Sequence, residues 1–513
     1  KIILQLYGLK HPIYTYFYST NFFIMLLNID KTKSESVFNQ LVSQISSLID
    51  SGDLQEGFQL PSSRQLAVSL GVNRSTVIRA YEELWALGYL ESTPGSYTKV
   101  RKRKVGNREC KHFAEKDTFW DEMLNSSYKP DFEKVNKFSK LIISDNDSVI
   151  SFDRLEPDSR LIDVRLINNC YREAISNQEQ NVFGYCHPRG YEPLRHSIVS
   201  HMRLHGVNST DENILVTNGS QNSLQLIFQA FISKDDVVAA ESPTYSMLIP
   251  LIKYFGCKIL EIPVNDDGLD ISVLKEYLKR YPVKMIYTMP TFHNPTSVTM
   301  PQDKREELLT LCEKHKVIIV EDSIEEEMKY FGKVHLPIKS IDTHGVVIYL
   351  GSFSKILAPG FRLGWIIADE ECIKRLTTLK TIFDLSSNTF SQIMLHQFCK
   401  NGYYELHIRK FLRAFKKRMK TALKALKTYM PANKVSWNEP LGGFLIWIKL
   451  NVKSTDIDIE EYFRKYGVSI TNGRSFFYTP PEENYIRFSI SKCNEHEIEE
   501  GIKRMAKAID DLK

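Results

Sequence analysis

Cysteine is sparse and scattered in this chain: eight residues, at positions 110, 170, 186, 257, 312, 372, 399 and 493, with no C-x-x-C pair. That spacing argues against a disulfide framework and against a thiolate zinc site, and it suits a reducing cytosol. A cytoplasmic protein without metal ligands is therefore expected. Charge of one sign is also lacking, since 67 Lys/Arg against 62 Asp/Glu leave only +5 over 513 residues. Such a balance does not by itself mark a nucleic-acid binder. Long apolar runs are few. The first 24 residues are apolar and aromatic, but Lys10 and His11 interrupt them and no small-residue cleavage site follows. Neither a membrane span nor a secretory signal is expected there. Met25 is read as the natural start, with residues 1–24 a non-native extension or a disordered tail.

The charge has a location. Between Leu60 and Val105 stand eight Lys/Arg and three Asp/Glu, which accounts for the whole net charge. Ahead of it, Val37, Leu41, Ile45 and Leu48 recur at helical spacing. In LPSSRQLAVSLGV, Ser62 and Gln65 have capping-box spacing, Leu66, Ala67 and Leu70 form an apolar stripe, and Gly71 ends the helix. In NRSTVIRAYEELWALGYL, Asn73 is a cap and Val77, Tyr81 and Leu84 face inward. Arg74, Ser75, Thr76 and Arg79 are thereby left around the start and outer side of that helix. A turn-rich ribbon, ESTPGSYTKV, and then RKRK follow. Two short helices joined at a glycine and followed by a ribbon make the pattern of a winged helix-turn-helix, whose second helix enters the major groove. These residues resemble the GntR family of DNA-binding domains, with Arg64, Arg74, Thr76 and Arg79 as the DNA contacts implied and Gly95 at the wing tip.

Residues 105–148 are polar and charged and read as a linker after a DNA-binding domain at 25–104. From 149 to 513 apolar, β-branched runs alternate with amphipathic stretches: ILVT (214–217), DVVAA (236–240), MIYTM (285–289), VIIVED (317–322) and VVIYL (346–350). Each is separated from the next by enough residues for a helix. The pattern implies an α/β domain with a mostly parallel, buried sheet, which binds ligands beyond the carboxyl ends of its strands.

Those ends carry chemistry. ILVT is followed by Asn218, Gly219, Ser220 and Gln221, MIYTM by a loop with Asn294, VIIVE by Asp322, and VVIYL by Gly351, Ser352, Phe353, Ser354 and Lys355. A lysine at a strand exit can form a Schiff base with an aldehyde cofactor, and an aspartate suits the pyridinium nitrogen of pyridoxal phosphate. The helix start at Gly219, Ser220 and Gln221, with Ser352, Ser354 and Arg362 opposite, suits its phosphate. Singly these signals are weak, because most such lysines, NP turns and strand-end aspartates are structural.

Together, FGYCHPRGYEPLR (183–195), TNGSQNSL (217–224), ESPTY (241–245), HNPT (293–296), SFSKILAPGFRLGW (352–365), GGFLIW (442–447) and YIRFSIS (485–491) resemble the class I/II aminotransferases, fold type I of the pyridoxal phosphate enzymes. The resemblance implies that Tyr245 stacks on the cofactor ring, Asn294 bonds its phenolic oxygen, Lys355 carries it and Arg487 clamps an α-carboxylate. Ile324 departs from the tyrosine common two residues after the aspartate. The two halves joined resemble the MocR subfamily of bacterial transcription regulators. That implies a homodimer on double-stranded promoter DNA, responding to the cofactor or to an amine or amino acid. An active aminotransferase with an auxiliary DNA-binding domain is the second expectation.

Overall fold

Short polar side chains start the helices of the amino-terminal part. Ser36 accepts the N–H of Asn39 ahead of α1 (Val37–Asp50), which buries Gln40, Leu41 and Ile45. Ser62 and Gln65 close a reciprocal capping box on α2 (Ser63–Leu70), and Gly71, at φ 62°, ends that helix in the left-handed region. Asn73 then accepts the N–H of Ser75 to open α3 (Arg74–Ala86), whose inner face is Val77, Ala80, Tyr81 and Leu84. A two-stranded ribbon follows, β1 (Leu90–Glu91) antiparallel to β2 (Lys99–Val100). The Tyr81 hydroxyl donates to the Pro61 carbonyl at 2.9 Å and ties the two halves of this small core.

The computed structural model describes residues 26–92, 97–101, 122–128, 148–178, 182–451 and 457–512. The chain divides into two compact units between Leu124 and Asn125. The extension at 1–24, the wing tip at Gly95 and most of the expected linker lie outside the described residues. No helix among the described residues is long and apolar enough to cross a membrane.

The larger unit runs through β3 (Ile150–Ser151), α4 (Val164–Gln178), α5 (Glu192–Leu204), β4 (Ile214–Thr217), α6 (Ser220–Phe231), β5 (Val237–Ser242) and α7 (Leu248–Phe255). It continues through β6 (Lys258–Asn265), β7 (Gly268–Leu269), α8 (Ile271–Arg280), β8 (Val283–Thr288), α9 (Gln302–His315), β9 (Ile318–Asp322), β10 (Val347–Ser352) and β11 (Gly364–Ile367). The last part comprises α10 (Glu370–Asp384), α11 (Thr389–Lys400), α12 (Tyr403–Tyr429), β12 (Val435–Trp437), β13 (Leu445–Leu450), α13 (Ile459–Lys465), β14 (Val468–Ser469), β15 (Thr471–Asn472), β16 (Asn484–Ser489) and α14 (Glu495–Asp511).

The main sheet has eight strands in the order β4-β11-β10-β9-β8-β5-β6-β7. It is parallel except for β11, antiparallel to both neighbours, and β7 at the edge. Successive residues feed opposite faces: Val238 and Ala240 enter one cluster, Val237 and Ala239 another. Both faces are thus buried, which is why these strands read as continuous apolar runs. A four-stranded antiparallel sheet, β12-β13-β16-β15, lies near the carboxyl terminus.

The helix-per-connection expectation fails in one place. Between β9 and β10 there is only a 3-10 turn, Ile338–Ile341, because the buried Glu321 carboxylate takes the N–H groups of Ile338 and Lys339, both at 2.8 Å. A fixed carboxylate thus pins the strand-to-strand passage where a helix would have packed.

Gly351 pairs with Trp365 across β10 and β11. A Cβ on it would collide with the Trp365 ring, which is itself packed on Phe353 at 4.6 Å. Gly351→Ala is expected to lose about 1–3 kcal/mol by overpacking. The check is a lower denaturant midpoint at unchanged slope.

Candidate functional site

Five strands that run in the same direction, β4, β10, β9, β8 and β5, deliver their carboxyl ends to one rim of the main sheet, with antiparallel β11 between the first two, and a cavity of about 640 Å³ opens there. Its wall contains Ser220, Gln221, Tyr245, Asn294, Ser354, Lys355, Arg362 and Arg487, eight of the residues expected from sequence. Gly219, Asp322 and Ser352 stand behind that wall. Gly219, at φ 96°, caps α6. A Cβ on it would stand 3.0 Å from a terminal nitrogen of Arg362, so only glycine lets that guanidinium close over the helix start. Arg362 itself donates to the Asn218 carbonyl at 3.0 Å. Ser352 Oγ accepts the N–H of Ser354 at 3.1 Å and shapes the turn into Lys355.

The Lys355 ammonium donates to the Leu155 carbonyl at 2.7 Å. Burial draws its pKa down to about 8, with Glu325 as the main opposing influence. Asp322 is 1% exposed. Its Oδ2 accepts the Tyr287 hydroxyl at 2.7 Å, and burial pushes its pKa up to about 6. Arg487 is buried, and burial brings it down to about 10. One of its terminal nitrogens donates to the Asp153 carbonyl at 2.6 Å and to Thr471 at 3.1 Å.

Around this cavity sit buried polar atoms without a hydrogen-bond partner among the described residues: both side-chain atoms of Asn294, Oδ1 of Asp322, Oγ of Ser354, Oε1 of Gln221 and Nε of Arg487. Each such atom costs about 1–3 kcal/mol unless something answers it. Pyridoxal phosphate fits the set. Its phosphate would meet the start of α6 with Ser354 and Arg362, its phenolic oxygen Asn294, its ring nitrogen Asp322 and its aldehyde Lys355.

Glu325 and Tyr287 were missed from sequence. Glu325 is buried, accepts the Phe444 N–H at 3.1 Å and is raised by burial to about 7, with Lys355 and Arg487 acting in the opposite sense. Nothing in "DSIEEEM" distinguishes it from Glu326 or Glu327. Tyr287 carries the one available hint, an inward position on β8 one strand away from Asp322. Ile324 lines the cavity where a tyrosine was the common expectation.

In the smaller unit Arg64, Arg74, Ser75 and Arg79 are exposed and Thr76 is half-buried. Ser75 donates to the Asn73 side chain at 2.9 Å, and Arg74 Nε reaches Ser63 Oγ at 3.5 Å. Arg79 is placed over the Phe38 ring of α1, 5.1 Å from its centroid, and so also packs within the unit.

The family model for aminotransferase class I and II matches residues 162–505, and that for bacterial regulatory proteins of the gntR family matches 38–100. The chain is similar to aromatic-amino-acid aminotransferase 1 of Thermococcus litoralis, 36% identical over 73% of this chain and 91% of the relative. It is also similar to the uncharacterized HTH-type transcriptional regulator YdfD of Bacillus subtilis, 30% identical over 94% of this chain and 98% of that one. Among solved structures, a kynurenine aminotransferase of Pyrococcus horikoshii in complex with PMP aligns with a TM-score of 0.71 at 32% identity, covering 77% of this chain and 99% of that one. The second relative covers 94% of this chain, whereas the two aminotransferases cover 73% and 77% of it. The chain therefore belongs to the pyridoxal phosphate-dependent aminotransferase class I and II family and carries a gntR-family DNA-binding domain ahead of it, the architecture of MocR-type transcription regulators.

Proposed function

We propose that this regulator holds pyridoxal phosphate on Lys355 and reads an amine or amino acid at the same cavity, as a homodimer presenting two helix-turn-helix units to promoter DNA. The observation that carries the reading is the set of unpaired buried atoms around Lys355, in a chain whose other unit exposes a basic helix start.

When bound, the cofactor supplies an aldehyde for amines and a ring that accepts electrons from a substrate's Cα. The chain's own residues do the rest. Lys355 Nζ, brought to about 8, gives up or holds a proton near neutral pH. Asp322 places a negative charge where a ring nitrogen is to be kept protonated, and Tyr287 orients that carboxylate. Asn294 offers an amide N–H, Tyr245 a flat apolar face. Arg487 offers the unpaired Nε to a carboxylate, which selects amino acids over simple amines. Loading the cavity shifts the geometry of the large domain and with it the spacing of the two DNA readers. Couplings of this kind are typically about 1–3 kcal/mol, several-fold or more in affinity.

The test is binding of the purified chain to DNA upstream of its own gene, with and without pyridoxal phosphate and a panel of amino acids. A several-fold change in affinity or an altered footprint is expected. Identical binding in every condition removes the sensing role. A second reading, an active aminotransferase, rests on the intact Lys355 and Arg487, and steady turnover of an amino acid with a keto acid establishes it.

A further inference from the structure

Away from the cofactor cavity, three side chains from distant parts of the sequence converge on one point. His201 and His205 lie one turn apart, on α5 and at its carboxyl end, so their rings share a face. Glu327 comes from the segment after β9. Its Oε1 stands 2.7 Å from His201 Nε2 and 2.8 Å from His205 Nε2. The side chains are 11%, 15% and 16% exposed, enclosed yet reachable from solvent.

We infer that His201, His205 and Glu327 form a binding site for one divalent transition-metal cation of the zinc class. Two imidazoles and one carboxylate are the donor set of open zinc sites, whereas calcium and magnesium take oxygen-only shells. Three protein donors leave a fourth position for water or an exogenous ligand. Metal–ligand distances of about 2.0–2.2 Å place the donors of a tetrahedral site roughly 3.3 Å apart, so an ion asks each of the two Nε2–Oε1 separations to lengthen by only about half an ångström, and all three donor atoms already lie within 4.8 Å of one another. Among the described residues the Nδ1 of His201 is buried without a hydrogen-bond partner, so its Nε2 edge carries the ring's polar bonding. His205 Nδ1 lies 3.9 Å from Glu326 Oε1, too far for a hydrogen bond but close enough for the charge to act on the ring. Lys329 is paired to Glu326, not to Glu327. The expectation of no metal ligands came from the cysteines and does not bear on this set.

The location gives the ion a consequence. Glu327 lies five residues beyond Asp322, and between them Ile324 lines the cavity and Glu325 is among the influences on Lys355. His201 packs edge-on against Tyr404 at 5.2 Å, and Tyr404 against Phe353 at 5.5 Å, two residues before Lys355. A bound ion therefore clamps α5 to the segment that fronts the cofactor cavity. The other such grouping among the described residues, Glu192, His196 and Asp211, is more open, and Arg195 already pairs with its Asp211 at 3.0 Å.

The test uses full-length, metal-stripped protein titrated with Zn²⁺ against a chromophoric chelator. Wild type and His196→Gln are expected to take up one zinc per chain, and His205→Gln and Glu327→Gln to lose it. Zinc should raise the thermal midpoint of wild type but not of Glu327→Gln. Co²⁺ in wild type should give a tetrahedral or five-coordinate visible spectrum without thiolate charge-transfer bands, a readout that holds even if a variant fails to fold. No stoichiometric uptake by wild type, uptake that survives both substitutions, or a thiolate band on cobalt each overturns the site and leaves a hydrogen-bonded cluster.

Discussion

Lys355→Ala protein, incubated with pyridoxal phosphate and treated with borohydride, should carry no cofactor on the 352–365 peptide, while wild type carries one per chain. The loss is expected to be complete, because among the described residues Lys355 is the amine that lines the cavity with a lowered pKa. Burial lowers it to about 8 against the ordinary 10.5, so far more of it is the nucleophilic free amine at neutral pH than of any surface lysine. The sign gives a second measurement. Protonation removes the nucleophile, so the rate of cofactor attachment should rise with pH and level off above about 8. A rate that still climbed to pH 10 would mean an ordinary exposed lysine. Asp322 adds a second limb, since burial raises it to about 6. As pH falls through that value the carboxylate is neutralised and retention should weaken. Wild type without an adduct, or an adduct retained in Lys355→Ala, would remove the covalent anchor and with it the sensor reading.

How much of this could be read from the letters alone depends on distance along the chain. Ser62 and Gln65, Asn73, and Gly71 act on neighbours within four residues, and local spacing exposes them. Parallel strands buried on both faces announce themselves as apolar runs, so the rim that holds Lys355 and Asn294 followed from the strand-end rule. What escaped depends on long-range placement. β11 is short, reads like its neighbours, and yet runs antiparallel to both β10 and β4, packed so closely that a Cβ on Gly351 or Gly364 would collide with it or its neighbours. Glu325 and Glu327 sit two residues apart with unrelated surroundings, one against Phe444 and the other against two histidines. The HMRLH spacing is visible at 201–205, but its third member lies 122 residues further on, and no periodicity links them.

Arg74→Ala should weaken binding to the chain's own operator by about 5- to 150-fold, the equivalent of about 1–3 kcal/mol for a lost base contact. Arg74 is the first residue of α3, and the first turn of a recognition helix meets base edges in the major groove. Its side chain is exposed, and its hydrogen bond to Ser63 Oγ at 3.5 Å is a weak contact with the start of α2. Removing it therefore costs little folding stability, and the thermal midpoint should stay put. Arg79→Ala is the informative contrast. Its guanidinium lies over Phe38, so the same truncation loses a packing contact as well as a charge, and affinity and midpoint should fall together. Salt separates the roles further. If Arg74 reads a base, the ratio of specific to non-specific affinity collapses while the slope against salt is nearly kept; if it holds a phosphate, binding to all sequences weakens and the slope drops by about one. The base-reading outcome is the one expected here, because Asn73 fixes the start of α3 through Ser75 and leaves Arg74 as the side chain on the first turn that projects beyond the cap. Operator binding equal to wild type would take Arg74 out of the interface and shift the search to the basic residues flanking the ribbon.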